Sequence, residues 1–213
     1  MRDHPIPSVT EPMQYRAIGL VRGIYEPEDD EKFTRGKLID SSGAQIDSVV
    51  LGRVITLMKR HLKVAEPHLW VVYPRCRELG HLHLQITGIW EPSTLLRNSL
   101  TEKNNVEGKF ESKVDAFDQL PEGDDYFSIR GDLIYTNPEN NEIVIKIRQR
   151  ARSKLKKTVP FKLILEGQIP IEHLRNFVSL NVRRKANNLV VEDFEVIGPI
   201  QKKNFKKREN KIL

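Results

Sequence analysis

A single cysteine, Cys76, leaves the chain with no internal disulfide, and a reducing, cytoplasmic setting is the expectation that follows. No window approaches the roughly 18 apolar residues of a membrane span. The start, Met1-Arg2-Asp3-His4-Pro5, lacks the charged-then-apolar order of an export signal. The glycines fall singly, without Gly-x-Gly-x-x-Gly or Gly-x-x-x-x-Gly-Lys-Ser/Thr, so nothing is preformed to cradle a nucleotide's phosphates. No Cys-x-x-Cys pair offers a structural zinc site. His81 and His83 would share a strand face but have no third ligand nearby, and the acidic run Glu28, Asp29, Asp30, Glu31 lacks the alternation of a calcium loop. Arg75 and Arg77 flank Cys76 and could lower its thiol pKa, yet no Cys–His arrangement is legible. No metal, cofactor or enzyme chemistry is therefore expected.

What is present is charge, unevenly placed. The 213 residues carry a net charge of +6. From Met1 to Asp125 there are 16 Lys/Arg against 20 Asp/Glu, a balance of −4. From Tyr126 to Leu213 there are 19 against 9, a balance of +10. Such a split points the second half toward an anionic partner, of which nucleic acid is the commonest.

A plan also repeats. Arg22-Gly23-Ile24-Tyr25-Glu26-Pro27 in the first half matches Arg130-Gly131-Asp132-Leu133-Ile134-Tyr135-Thr136-Asn137-Pro138 in the second. Each unit closes on a strand that breaks at glycine, Gly88 and then Gly198. In the first unit, strands are expected at 15–25, 33–40, 45–51, 68–73 and 82–90. Between the third and fourth, Val54, Ile55, Met58 and Leu62 recur at helical spacing. Three strands, a helix and two strands is the order of the OB-fold, a five-stranded Greek-key barrel. The second unit keeps that order, with strands near 126–135, 142–149, 161–169, 178–184 and 189–197 and a helix of one or two turns at 172–177. The expected fold is mainly β with a short helix per unit: two tandem OB-like five-stranded barrels. Residues 1–14 read as a flexible arm, 15–92 as barrel 1, 93–125 as an acidic and polar linker, 126–200 as a basic barrel 2, and 201–213 as a basic tail.

Single-stranded nucleic acid needs cations along a groove and flat side chains on which bases stack. In an OB-fold these sit on strands two and three and on the loops joining strands 1–2 and 4–5. The second unit offers Lys146, Arg148 and Arg150, then Arg152, Lys154, Lys156 and Lys157 in the next loop, then Arg183, Arg184 and Lys185 in the last hairpin. The first offers Arg22, Tyr25, Arg35, Lys37, Tyr73, Arg75 and Arg77, and the tail adds Lys202, Lys203, Lys206, Lys207 and Arg208. Aromatics are scarce, at 7%. Phe127, Phe161, Phe194, Trp70 and Trp90 read as packing, and Tyr25, Tyr73 and Tyr135 as stacking platforms, because a hydroxyl tolerates a wet surface. The function expected is non-enzymatic binding of RNA or single-stranded DNA through barrel 2 and the tail. The alternative is a protein–protein adaptor in a larger ribonucleoprotein or photosynthetic assembly.

The stretch Tyr15 to Gly23, with Phe33-Thr34-Arg35-Gly36, Leu51-Gly52-Arg53-Val54 and His68 to Arg75, resembles a family of conserved cyanobacterial proteins with two OB-like barrels. The second half is similar along Phe127 to Gly131 and Lys146 to Gln149. The resemblance implies the scaffold and carries over no catalytic residue.

Overall fold

The computed structural model describes residues 4–29, 33–62, 65–77, 80–92, 120–149 and 158–200. Five strands make the first barrel: β1 (Arg16–Pro27), β2 (Arg35–Ile39), β3 (Gln45–Val50), β4 (His68–Cys76) and β5 (Leu82–Ile89). β1 pairs with β2 and β4, β2 with β3, and β4 with β5, all antiparallel, while β3 meets β5 in parallel and closes the ring. Helix α1 (Gly52–His61) lies between β3 and β4 and buries Val54 and Met58, as its apolar period requires.

The second barrel repeats this wiring with β6 (Tyr126–Asn137), β7 (Glu142–Ile147), β8 (Phe161–Glu166), β9 (Asn176–Lys185) and β10 (Asn188–Pro199). β8 and β10 supply its parallel closure. Where a helix of one or two turns was expected, the described residues hold only a 3₁₀ turn, Ile171–His173. Pro170 precedes it, and Arg175 then takes a left-handed φ of 67°, so the segment is too short for an α-helix to propagate.

The Arg-Gly repeat marks the point where the first strand of each barrel changes neighbours. β1 pairs with β4 up to Gly23 and with β2 from Ile24; β6 pairs with β9 up to Asp132 and with β7 from Asp132. A Cβ on Gly23 would stand 2.3 Å from the Ile39 carbonyl oxygen, and one on Gly131 would stand 2.7 Å from that of Lys146. Glycine is needed because the strand bends there against a neighbouring backbone.

Bending leaves the early part of each first strand with a free edge, and the two edges pair with each other. β1 and β6 run antiparallel, Arg16 opposite Arg130 and Gly19 opposite Phe127. Aligning the barrels on Arg22-Gly23 and Arg130-Gly131 also matches Gly19 with Phe127, so a local two-fold axis passes through that pair. The Phe127 ring fills the space over Gly19, within 2.1 Å of where a Cβ would be. One apolar cluster therefore runs unbroken through both barrels, from Tyr25 and Trp70 to Ile145 and Leu165. Units of about 75 residues gain stability by sharing a core, and the joined edges present no open template for aggregation.

Residues 4–14, expected as a flexible arm, pack on the barrels. Ile6 is buried with Ile18, Leu20 and Leu69 in a second cluster. His4 meets Glu122 at 3.1 Å. Most of the expected linker, 93–119, lies outside the described residues. No described helix is long and apolar enough to cross a membrane.

Candidate nucleic-acid interface

The expected cations separate into those already committed to partners and those that face open space. Arg184 is the most committed. It is almost fully buried and binds Asp40 at 2.7 Å, Asp125 at 2.6 Å and the Ala186 carbonyl at 2.7 Å. Burial pushes the Asp40 carboxyl up, but hydrogen bonds from Ser42, Arg184 and Ala44 outweigh it and hold the pKa near 2. Burial instead raises Asp125 more than Arg184 lowers it. Arg183 is held by Glu192 and by the Glu122 and Asp124 carbonyls. Arg22 pairs with Asp124 and Arg77 with Asp47. Arg184 and Arg183 are thus satisfied within the protein, whereas Arg22 and Arg77 each keep one exposed ion pair.

Tyr25 corrects an expectation outright. It is 1% exposed and donates to the Phe33 carbonyl, so its ring has no open face for a base. It continues the core-facing alternation of Ala17 and Val21 along β1. Arg35 and Lys37 are exposed on β2, with Lys37 reaching Gln45, and Lys185 is exposed at the β9–β10 turn. Lys146 lies half-buried on β7 opposite Lys162. Tyr135 is exposed, as a platform should be. Trp70 is core, donating to the Gly23 carbonyl.

The remaining candidates converge on a cleft of about 550 Å³ between the barrels. Tyr15, just before β1, and Arg16 of β1 line it with Tyr73 and Arg75 of β4, and β5 contributes Gln85. The far wall is Arg148, Gln149, Thr158 and Phe161 of the second barrel. Arg75 lies 3.9 Å from the centre of the Phe161 ring, a cation–π contact that stands as a ridge at the mouth. Its guanidinium donates to the Pro74 carbonyl at 2.8 Å, makes no ion pair with a described carboxylate, and has its pKa lowered by burial. Arg148 instead pairs with Asp132 at 2.8 Å, over the Tyr15 ring; the Tyr15 hydroxyl donates to the same carboxylate at 2.6 Å. Burial, then the Asp132 hydrogen bond, pushes the Tyr15 phenol up, so it stays a donor. Of the expected residues, Tyr73, Arg75 and Arg148 line this cleft. Tyr15, Arg16 and Phe161 line it as well without having been expected there, because only the pairing of β1 with β6 and the approach of β4 to β8 bring them together.

The loop that follows β7 is rooted here. Thr158 donates to the Gln149 carbonyl at 2.7 Å, pinning the loop's two ends at the cleft wall. Between them, residues 150–157 carry Arg150, Arg152, Lys154, Lys156 and Lys157 and no acid. These five, and the tail cations Lys202, Lys203, Lys206, Lys207 and Arg208, lie outside the described residues. The count is informative: in 126–149 and 158–200 there are 8 Lys/Arg and 8 Asp/Glu. The second barrel's body is thus neutral, and the half's whole excess of +10 belongs to the loop and the tail.

Cys76 and His83 lie outside this cleft's lining. Burial pushes the Cys76 thiol up, against the lowering that its flanking arginines could have produced; its sulfur accepts from the Ile164 N–H at 3.5 Å. Burial, then Arg77 and Arg75, lowers the His83 imidazole, and no metal-binding group of three such side chains occurs among the described residues.

Comparison with known proteins finds no match among curated proteins. Two family models do match: residues 17–97 match the N-terminal OB-fold domain of the PatR RNA-binding protein, and residues 129–198 match a cyanobacterial OB-fold-like RNA-binding domain, C-terminal. The chain, two OB-fold barrels in series, belongs to this cyanobacterial two-domain family.

Proposed function

We infer that the protein binds single-stranded RNA without catalysing a reaction, with the strand lying in the inter-barrel cleft and its backbone gripped by the 150–157 loop and the tail. One observation carries this reading: the all-cationic loop is rooted by Gln149 and Thr158 in the wall of a cleft that also holds Tyr73 and the Arg75–Phe161 stack. Aromatic rings and guanidinium groups in one groove, next to a run of positive charge, are the two requirements of sequence-tolerant strand binding. The RNA-binding descriptions of both matching families support RNA over DNA. In this reading residues 15–92 and 126–200 are the two structural units, and both touch the strand.

Fluorescence anisotropy of a labelled single-stranded RNA, repeated with the DNA of the same sequence across a salt series, tests it. Affinity should fall steeply with salt, by a slope of about 0.7 per contacted phosphate. Replacing the five loop cations by Gln should flatten that slope by up to about 3.5. No binding at low salt, or a slope indifferent to the loop, contradicts the reading.

A further inference from the structure

Two arginines face each other across the seam and neither is neutralised by a described ion pair. Arg16 on β1 is directly opposite Arg130 on β6, so their side chains leave the sheet on the same face. Arg130 is 7% exposed, and burial lowers its pKa; burial followed by Arg130 itself lowers that of Arg16. The field of Glu195 on β10 reaches Arg130 but forms no ion pair with it. Both guanidinium groups are capped instead by neutral oxygens. Arg16 donates to the Pro7 carbonyl at 2.5 Å and to the Ser128 hydroxyl at 2.8 Å. Arg130 donates to the Pro12 carbonyl at 2.5 Å and to the Ser179 hydroxyl at 2.7 Å. Each keeps a buried Nε with no partner.

An uncompensated buried cation is costly, and its bonds to neutral acceptors are weaker than bonds to an anion. Two such cations side by side form a site whose best ligand carries negative charge spread over several oxygens. The N-terminal strap supplies the two carbonyls that occupy it and is anchored by Ile6. Arg16 also lines the inter-barrel cleft, so the site opens onto the groove assigned to RNA.

We propose that Arg16 and Arg130 form a phosphate subsite held by the strap, residues 4–14, and that a phosphodiester of the bound strand displaces the strap to take it. This rests on the RNA-binding reading and adds a latch to it. Binding then exchanges carbonyl acceptors for phosphate oxygens, and the strap's anchorage sets how easily the exchange occurs.

Hydrogen exchange on the full chain, with and without a saturating single-stranded RNA, reads the latch directly. Amides in residues 5–14 should exchange faster when RNA is bound. In parallel, Ile6→Ser should tighten RNA binding severalfold without changing the salt slope, because the phosphodiester takes the same site in both, whereas Arg16→Gln with Arg130→Gln should flatten the slope by about 0.7, the value for one phosphate on a single strand. Adding Arg16→Gln and Arg130→Gln to Ile6→Ser should remove that gain. If RNA binds but strap exchange is unchanged or slowed, the latch is overturned whatever Ile6→Ser does, and the RNA reading stands. If RNA does not bind at all, both fall.

Discussion

The two ends of the inter-barrel junction contrast sharply in chemistry although one local two-fold relates the barrels that form them. At one end β9 brings Arg184 against Asp40 and Asp125, and the gap is sealed by ion pairs. At the other, β4 brings Tyr73 and Arg75 against Phe161, no described carboxylate neutralises Arg75, and a cleft stays open. The difference teaches that the duplication kept the backbone solution, including the Arg-Gly bends and the shared edge, while the side chains diverged: one end fastens the barrels, and the other leaves a cleft open between them.

Breaking the fastened end should have the largest effect. Arg184→Ala leaves two carboxylates facing a buried gap and should cost about 3–5 kcal/mol in urea denaturation, the usual loss when one member of a buried pair is removed. A loss under 1 kcal/mol would mean the triad fastens nothing. At the open end, Tyr73→Ala should weaken RNA binding by about 1–3 kcal/mol, one stacked base, with a stability loss smaller than that of Arg184→Ala because the ring also packs on the Ile6–Leu69 cluster. Equal affinity in wild type and variant would remove Tyr73 from the site.

Acid should loosen the fastened end selectively. The Asp40 carboxyl, near 2 when folded against an ordinary 3.8, stabilises the fold above pH 3.8, and that stability disappears as pH falls toward 2. Its contribution is roughly 2 kcal/mol at neutral pH. Asp125 works the other way: its raised pKa makes ionisation a cost above pH 3.8, so it offsets part of the gain. Denaturation midpoints of Asp40→Asn should therefore lose the drop between pH 4 and 2 that the wild type shows. The smallest effect belongs to the exposed Arg77–Asp47 pair: Arg77→Ala should change stability by less than about 1 kcal/mol and RNA affinity hardly at all.

Much of the scaffold was legible because its signals are local. Helical spacing of Val54 and Met58 announced α1, alternation of Ile143, Ile145 and Ile147 announced β7, and the paired Arg-Gly steps announced the repeat. The site was legible only in fragments. Arg184 and Asp40 are 144 residues apart, and nothing in their neighbours says that one neutralises the other. Tyr25 reads as a wet tyrosine by residue type, yet it shares the core-facing side of β1 with Ala17 and Val21. The strap was missed because its three prolines suggest a loose arm, whereas Ile6 and two carbonyls fix it by contacts no local pattern encodes. The positive excess of the second half belongs to its loop and tail, not to its barrel, which a sum over the whole half does not separate.

The central claim is that the strand lies at the open end and not at the sealed one. Photo-crosslinking of 4-thiouridine RNA to the full chain, followed by peptide mapping, tests it most directly. Crosslinks in the peptides holding Tyr73–Arg75 and Thr158–Phe161 are the predicted result. Crosslinks concentrated instead around Asp40–Gln45 and Arg183–Asn188 would contradict it.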